Sequence, residues 1–206
     1  MTSPQSEQYQ SAALFGGAIT CLLPIIYSDV SEIRQVPDTQ EVWLDTEGFT
    51  SVVFDILERV DAPMTAGTGG NPDLAALKVH LEDIVGEEDM GRLKMVQEAN
   101  VAVCAKMPPG TPVHTLVATA PAGEKMRGRT NEPDFVDLLL VVVRLEQQKT
   151  DLVVTINVPH VPGSYDPGSV DREGGKRGPL LERAWVMRTK VLESLEVRDW
   201  NLFGEE

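Results

Sequence analysis

Histidine and cysteine are scarce in this chain. His80, His114 and His160 are the only histidines, Cys21 and Cys104 the only cysteines, and none stands at metal-ligand spacing from another. No G-x-S-x-G elbow occurs, and neither cysteine falls in a recognisable pattern with a histidine. A serine or cysteine hydrolase therefore has no support, and no metal or cofactor is expected. Each cysteine sits in an apolar run, which predicts buried free thiols and a reducing compartment. Long apolar runs are missing as well: the longest, Leu138–Val143, is far too short to cross a bilayer. There is no N-x-[ST] acceptor, and the opening "MTSPQSEQYQ" lacks the basic and apolar regions of a secretory leader. The expected setting is the nucleus and cytoplasm.

Positive charge is the other scarcity. Eighteen Lys and Arg stand against 32 Asp and Glu, a formal net charge of −14. That balance argues against direct nucleic-acid binding and against an acidic membrane surface. The deficit is uneven: residues 1–103 carry a net −12 and residues 104–206 a net −2. Within residues 29–61, nine carboxylates face only Arg34 and Arg59. Solubility explains such a bias, and so does an acidic face made for a basic partner.

What is present is enough for one domain. The chain has 206 residues, 42% of them apolar, and no internal repeat. Residues 1–12 are polar and predict a disordered tail. "LFGGAITCLLP" (Leu14–Pro24) reads as a buried first strand, with Gly16 and Gly17 marking a bulge or a close approach of backbone. A short helix follows in "SDVSEIRQV", ended by Pro37, and then the extended segments "EVWLD" and "SVVFDILERV", the second of which could also start a helix. "GTGG" (Gly67–Gly70) hints at a phosphate loop but lacks the spacing, so it reads as a linker. "DLAALKVHLEDIVG" is a helix with Leu74, Leu77, Leu81 and Ile84 on one face, Asp73 able to cap it and Gly86 to end it. "NVAVCAKM" and "HTLVATA" are candidate strands. "VDLLLVVVRL" and "TDLVVTINV" form an antiparallel pair, with Leu152, Val154, Ile156 and Val158 on one face. Residues 162–179 read as a mobile loop within a domain spanning 13–206. The last helix carries a stripe of Leu180, Ala184, Met187, Val191 and Leu195, and Trp200 and Phe203 follow it at an edge of the core. About six strands with short links predict a single α+β domain whose sheet is largely antiparallel.

"VPDTQEV" (Val36–Val42) is the segment with chemistry to explain. Asp38 and Glu41 sit three residues apart, and the residues alone leave open a solvated turn, an interaction patch or an acid–base pair. The order of "LFGGAITCLLP", "DVSEIRQVPDTQEV", "TDLVVTINVP" and "DWNLFG" resembles the Mog family of Ran-binding guanine nucleotide release factors, over residues 14–204. The resemblance implies the Mog/PsbP-like fold, with helices on both faces of an antiparallel sheet. It also implies binding of the small GTPase Ran, promotion of nucleotide release and support of nuclear protein import, without covalent catalysis. The acidic residues of the family's P-D-x-Q-E-V motif match Asp38 and Glu41, with Gln40 between them. Charge and spacing add Asp29, Glu32 and Arg34. A monomer is expected. The alternative is a non-exchanging interaction adaptor of the same fold.

Overall fold

A computed structural model describes residues 7–61, 71–124, 126–171 and 174–204. In chain order its first strands are β1 (Tyr9–Leu14), β2 (Ile19–Pro24) and β3 (Tyr27–Asp29), followed by the one-turn helix α1 (Ser31–Arg34). β4 (Gln40–Asp45) and β5 (Ser51–Glu58) precede helices α2 (Pro72–Val85) and α3 (Glu87–Met90). Then come β6 (Lys94–Ala102), β7 (Val113–Ala120), β8 (Val136–Leu145) and β9 (Thr150–Pro159). Helix α4 (Pro179–Ser194) and the short β10 (Glu196–Val197) close the chain.

β8 and β9 are the most apolar strands, and they lie inside the sheet because their side chains are apolar on both pleat faces. The order is β3-β4-β5-β9-β8-β7-β6, antiparallel at each pairing. Alternation divides the core in two. Leu139, Val141 and Val143 of β8 join Leu152, Val154, Ile156 and Val158 of β9 on one face, under α4. Leu138, Leu140 and Val142 point to the other, under Leu77 and Leu81 of α2. A second sheet, β1-β2-β10, packs with α4 over the first face. The α+β architecture with a helix on each face is the expected one, although ten strands are present among the described residues where about six were counted.

Several expectations need correction. "LFGGAITCLLP" is two strands, not one. Phe15, Gly16 and Gly17 all have positive φ (50°, 67° and 92°), so the chain reverses there and β1 pairs back on β2. No atom lies within 4 Å of a Cβ built on Gly16 or Gly17, so conformation and not close packing demands glycine. The reversal draws residues 9–12, expected in a disordered tail, into β1, where Ala12 is buried. "SVVFDILERV" is strand, and only the first residues of "NVAVCAKM" belong to β6. Helix α2 is capped by Asn71, whose side chain accepts from the N–H groups of Asp73 and Leu74, with Pro72 in the first turn. Within the expected loop at 162–179, the described residues include a 3₁₀ turn at Pro167–Ser169 and a bridge between Asp171 and Lys176. Gly67–Gly70 lie outside the described residues. Cys21 and Cys104 are free and buried, as expected.

Asp73 is released from capping for a different task. Arg144 of β8 and Asp151 of β9 are register partners, both buried, with Nε donating to Oδ1 at 2.9 Å. Arg144 also donates to Asp73 (2.7 Å) and to the Val60 carbonyl. The second oxygen of Asp151 accepts from the Val60 N–H at 3.0 Å and meets His80 Nε2 at 2.9 Å. Burial alone would raise the Asp151 pKa, but the His80, Val60 and Arg144 hydrogen bonds outweigh it and hold the carboxyl below its ordinary range. Asp151→Asn should therefore cost roughly 1–3 kcal/mol, because buried Arg144 would keep Asp73 as its one remaining charge partner. Urea unfolding measures this. The stabilisation from Asp151 is complete above its unfolded pKa near ~4 and declines as pH falls through its lower folded value, so the difference between variant and wild type should shrink in acid.

Candidate partner-binding surface

The acidic segment sits at one edge of the large sheet. Asp29 ends β3, and its Oδ1 accepts from the Ser31 N–H (2.9 Å) and hydroxyl (2.5 Å). The Ser31 hydroxyl oxygen in turn accepts from the Val42 N–H at 3.0 Å, which ties α1 to β4. Gln35 takes the left-handed conformation after α1 (φ 52°), and the Gln40 N–H donates to the Pro37 carbonyl at 2.8 Å. Asp38 lies in that turn with its side chain exposed. Asp29 and Glu32 are exposed too, and between them and the turn stands Ile33, 83% exposed. Arg34 belongs to α1, and its side chain lies outside the described residues.

Gln40 and Glu41 behave differently, since β4 pulls both partly out of water. The Gln40 amide donates to Asp55 on the neighbouring strand at 2.5 Å. Glu41 Oε1 accepts from the backbone N–H of Phe15 at 2.5 Å, and Oε2 lies 3.5 Å from the Trp43 indole nitrogen. Burial raises the Glu41 pKa, and the hydrogen bonds from Phe15 and Trp43 oppose that rise. The carboxylate thus clamps the positive-φ turn between β1 and β2. Asp38 and Glu41 share a motif but not an environment: one is free in solvent and the other is engaged in the fold.

Sequence reasoning about charge missed the rest of this neighbourhood. The N–H groups of Arg198 and Asp199 both donate to the Ala18 carbonyl, at 2.8 and 3.1 Å. This seats the 3₁₀ turn Trp200–Phe203 beside Phe15, and an open cavity of about 440 Å³ lies between them, lined by Phe15, Gly17, Asp199 and Asn201. "LFGG", "PDTQEV" and "DWNLFG" are far apart in the chain and adjacent in space. Their co-occurrence in the resemblance was the one signal available for this.

The molecule is thus a small antiparallel α+β domain whose acidic edge segment is braced against the β1–β2 turn. The chain belongs to the family described as Ran-interacting Mog1 protein, whose profile matches residues 12–159. The nuclear import protein MOG1 of Saccharomyces cerevisiae is 32% identical over 169 residues, covering 75% of this chain and 68% of that protein. A probable Ran guanine nucleotide release factor of Dictyostelium discoideum is 26% identical over 206 residues, covering 96% and 98%. The crystal structure of the S. cerevisiae Ran-binding protein Mog1p superposes with a TM-score of 0.70 at 23% identity, covering 97% of this chain and all of that one, which is a likeness of fold.

The two carboxylates should separate in stability measurements. Asp38→Ala, an exposed change, should fall within about 0.5 kcal/mol of wild type. Glu41→Ala should cost roughly 1–3 kcal/mol by leaving the Phe15 N–H without its acceptor, and Glu41→Gln less, because an amide oxygen can still accept. Chemical denaturation of the three variants checks both statements.

Proposed function

We propose that this chain binds the small GTPase Ran and promotes release of its guanine nucleotide, in support of nuclear protein import. The family membership carries the reading, together with the names of the relatives, a nuclear import protein and a probable Ran guanine nucleotide release factor. In this reading the chain works as a monomer in nucleus and cytoplasm, away from nucleic acid and membrane. It is a regulator and performs no covalent chemistry.

Asp38 is the primary contact, with Asp29 and Glu32 extending the negative surface and Arg34 beside them. Gln40 and Glu41 hold the segment in place, and Glu41 adds charge at its inner rim. Exposed carboxylates at the edge of a chain of net charge −14 steer a basic surface into register and speed encounter. Release then follows from linkage. A protein that binds the nucleotide-free GTPase more tightly than the loaded form weakens nucleotide binding by the same factor. Carboxylates suit this, since they can pair with lysines that otherwise hold phosphate or disfavour the magnesium site.

The test is release of labelled guanine nucleotide from Ran. Asp38→Ala combined with Glu41→Gln should slow stimulated release by roughly tenfold, equivalent to about 1.4 kcal/mol of lost coupling. A folded double variant as active as wild type overturns the site. A pull-down against Ran loaded with GTP, loaded with GDP and free of nucleotide separates release factor from adaptor. Preference for the empty form is expected, and equal capture of all three keeps the partner but removes the mechanism.

A further inference from the structure

A cavity of about 880 Å³ lies at the opposite edge of the seven-stranded sheet from the acidic segment. Its floor is apolar, with Met95 and Phe135 among the lining residues. Its polar rim contradicts the charge of the chain: Arg92, which also pairs with Asp89 at 3.3 Å, and Lys94 at the start of β6 face Lys176 and Arg177 from the approach to α4, and among the described residues Asp134 is the one lining carboxylate. Asp134 is already used, accepting from the Tyr165 hydroxyl at 2.6 Å. Among the described residues Lys94 has no ion pair, and the Lys176 ammonium reaches only the Gly168 carbonyl, at 2.7 Å.

A second observation lies next to the cavity. Arg188 of α4 is 6% exposed, yet no carboxylate pairs with it among the described residues. Its Nη2 donates to Gln97 of β6 at 3.2 Å, while Nε and Nη1 have no partner. Its guanidinium lies 4.4 Å from the centre of the Trp185 ring, and Arg177 stacks on the same ring at 4.1 Å. Two guanidinium groups on one indole repel each other, and burying one of them without an anion is costly. A negative group bound at Arg177 would relieve that repulsion.

The backbone indicates the form of the ligand. β6 is the last strand of the sheet, and Lys94 to Val96 line the cavity together with Thr119 and Ala120 of its partner β7, so the groove crosses the ends of these strands next to the outer edge. An edge strand beside a groove accepts an extended segment by main-chain hydrogen bonds, while alternate side chains enter pockets. We propose that this groove binds an extended acidic peptide segment of a partner protein, its carboxylates held by Lys94, Lys176 and Arg177 and its apolar side chains resting on Met95 and Phe135. A polyanion such as RNA is disfavoured by the charge of the remaining surface. The proposal does not depend on the release-factor reading, because groove and acidic segment occupy opposite edges of the sheet.

Fluorescence anisotropy with a short labelled peptide alternating glutamate and leucine tests it, with a glutamine–leucine peptide as the neutral comparison. The acidic peptide should bind and the neutral one should not, and binding should weaken as salt is raised. Lys94→Glu and Lys176→Glu, both exposed positions, should each weaken binding by roughly tenfold or more, and Lys94→Arg should retain it. Amide resonances of β6 should shift on titration. Equal binding of both peptides, or unchanged affinity in both charge-reversed variants, overturns the proposal. So does binding of single-stranded RNA or inorganic pyrophosphate in the groove with no binding of the acidic peptide.

Discussion

The pairing of Arg144 with Asp151 is the constraint on which the rest of the structure depends. Two strands that are largely apolar on both faces could slide past each other at little cost in burial. Arg144 and Asp151 are buried and opposite in the ladder, so any other register parts a buried ion pair. The same pair reaches beyond its strands. Through Asp73 and His80 it fixes helix α2 on the second face, and through both polar groups of Val60 it fixes the end of β5. The pair therefore secures specificity more than net stability, since an apolar pair of similar shape would also fill the space.

The acidic edge illustrates a related economy. Glu41 is a surface-motif residue by sequence and a brace by structure, because its carboxylate satisfies the N–H of Phe15 where the backbone has positive φ. The turn it braces also abuts the Asp199–Phe203 segment, so the edge strand, the β1–β2 turn and the last turn of the chain support one another. The resulting surface is held by hydrogen bonds that do not involve Asp38, whose carboxylate stays exposed. Opposite it, across the sheet, the scarce cations are concentrated beside β6. Along the chain the acidic excess is visible in residues 29–61, but the basic lining of the groove comes from two separate stretches and shows only in the fold.

Much of the fold was legible because it rests on local patterns. The β8–β9 pair, the apolar face of β9, the helix over residues 72–85 and the broad stripe of α4 are periodicities, and periodicity survives into structure when the element is long and buried. The failures have physical causes too. The run Leu14–Pro24 reads as one strand because apolar residues continue through a reversal that only three positive-φ residues reveal. Tyr9–Ala12 reads as tail because "YQSA" is polar at its start and gains its order from pairing with β2. Asp73 reads as the cap of α2, but Asn71 caps it and Asp73 pairs with Arg144, far away in the chain.

The sequence by itself determined the acidic balance, the absence of metal and nucleophile patterns, the α+β alternation and the motif order that resembles a Ran-interacting family. Each of these depends on which residues occur and how they are spaced. Tertiary structure alone decided that Glu41 is engaged and Asp38 is free, that three distant motif segments meet, and that basic residues from two separate stretches surround one groove. Those outcomes depend on strand order and on which edges remain unpaired, and long-range pairing is set by the summed fit of the whole core, which no short stretch of sequence encodes.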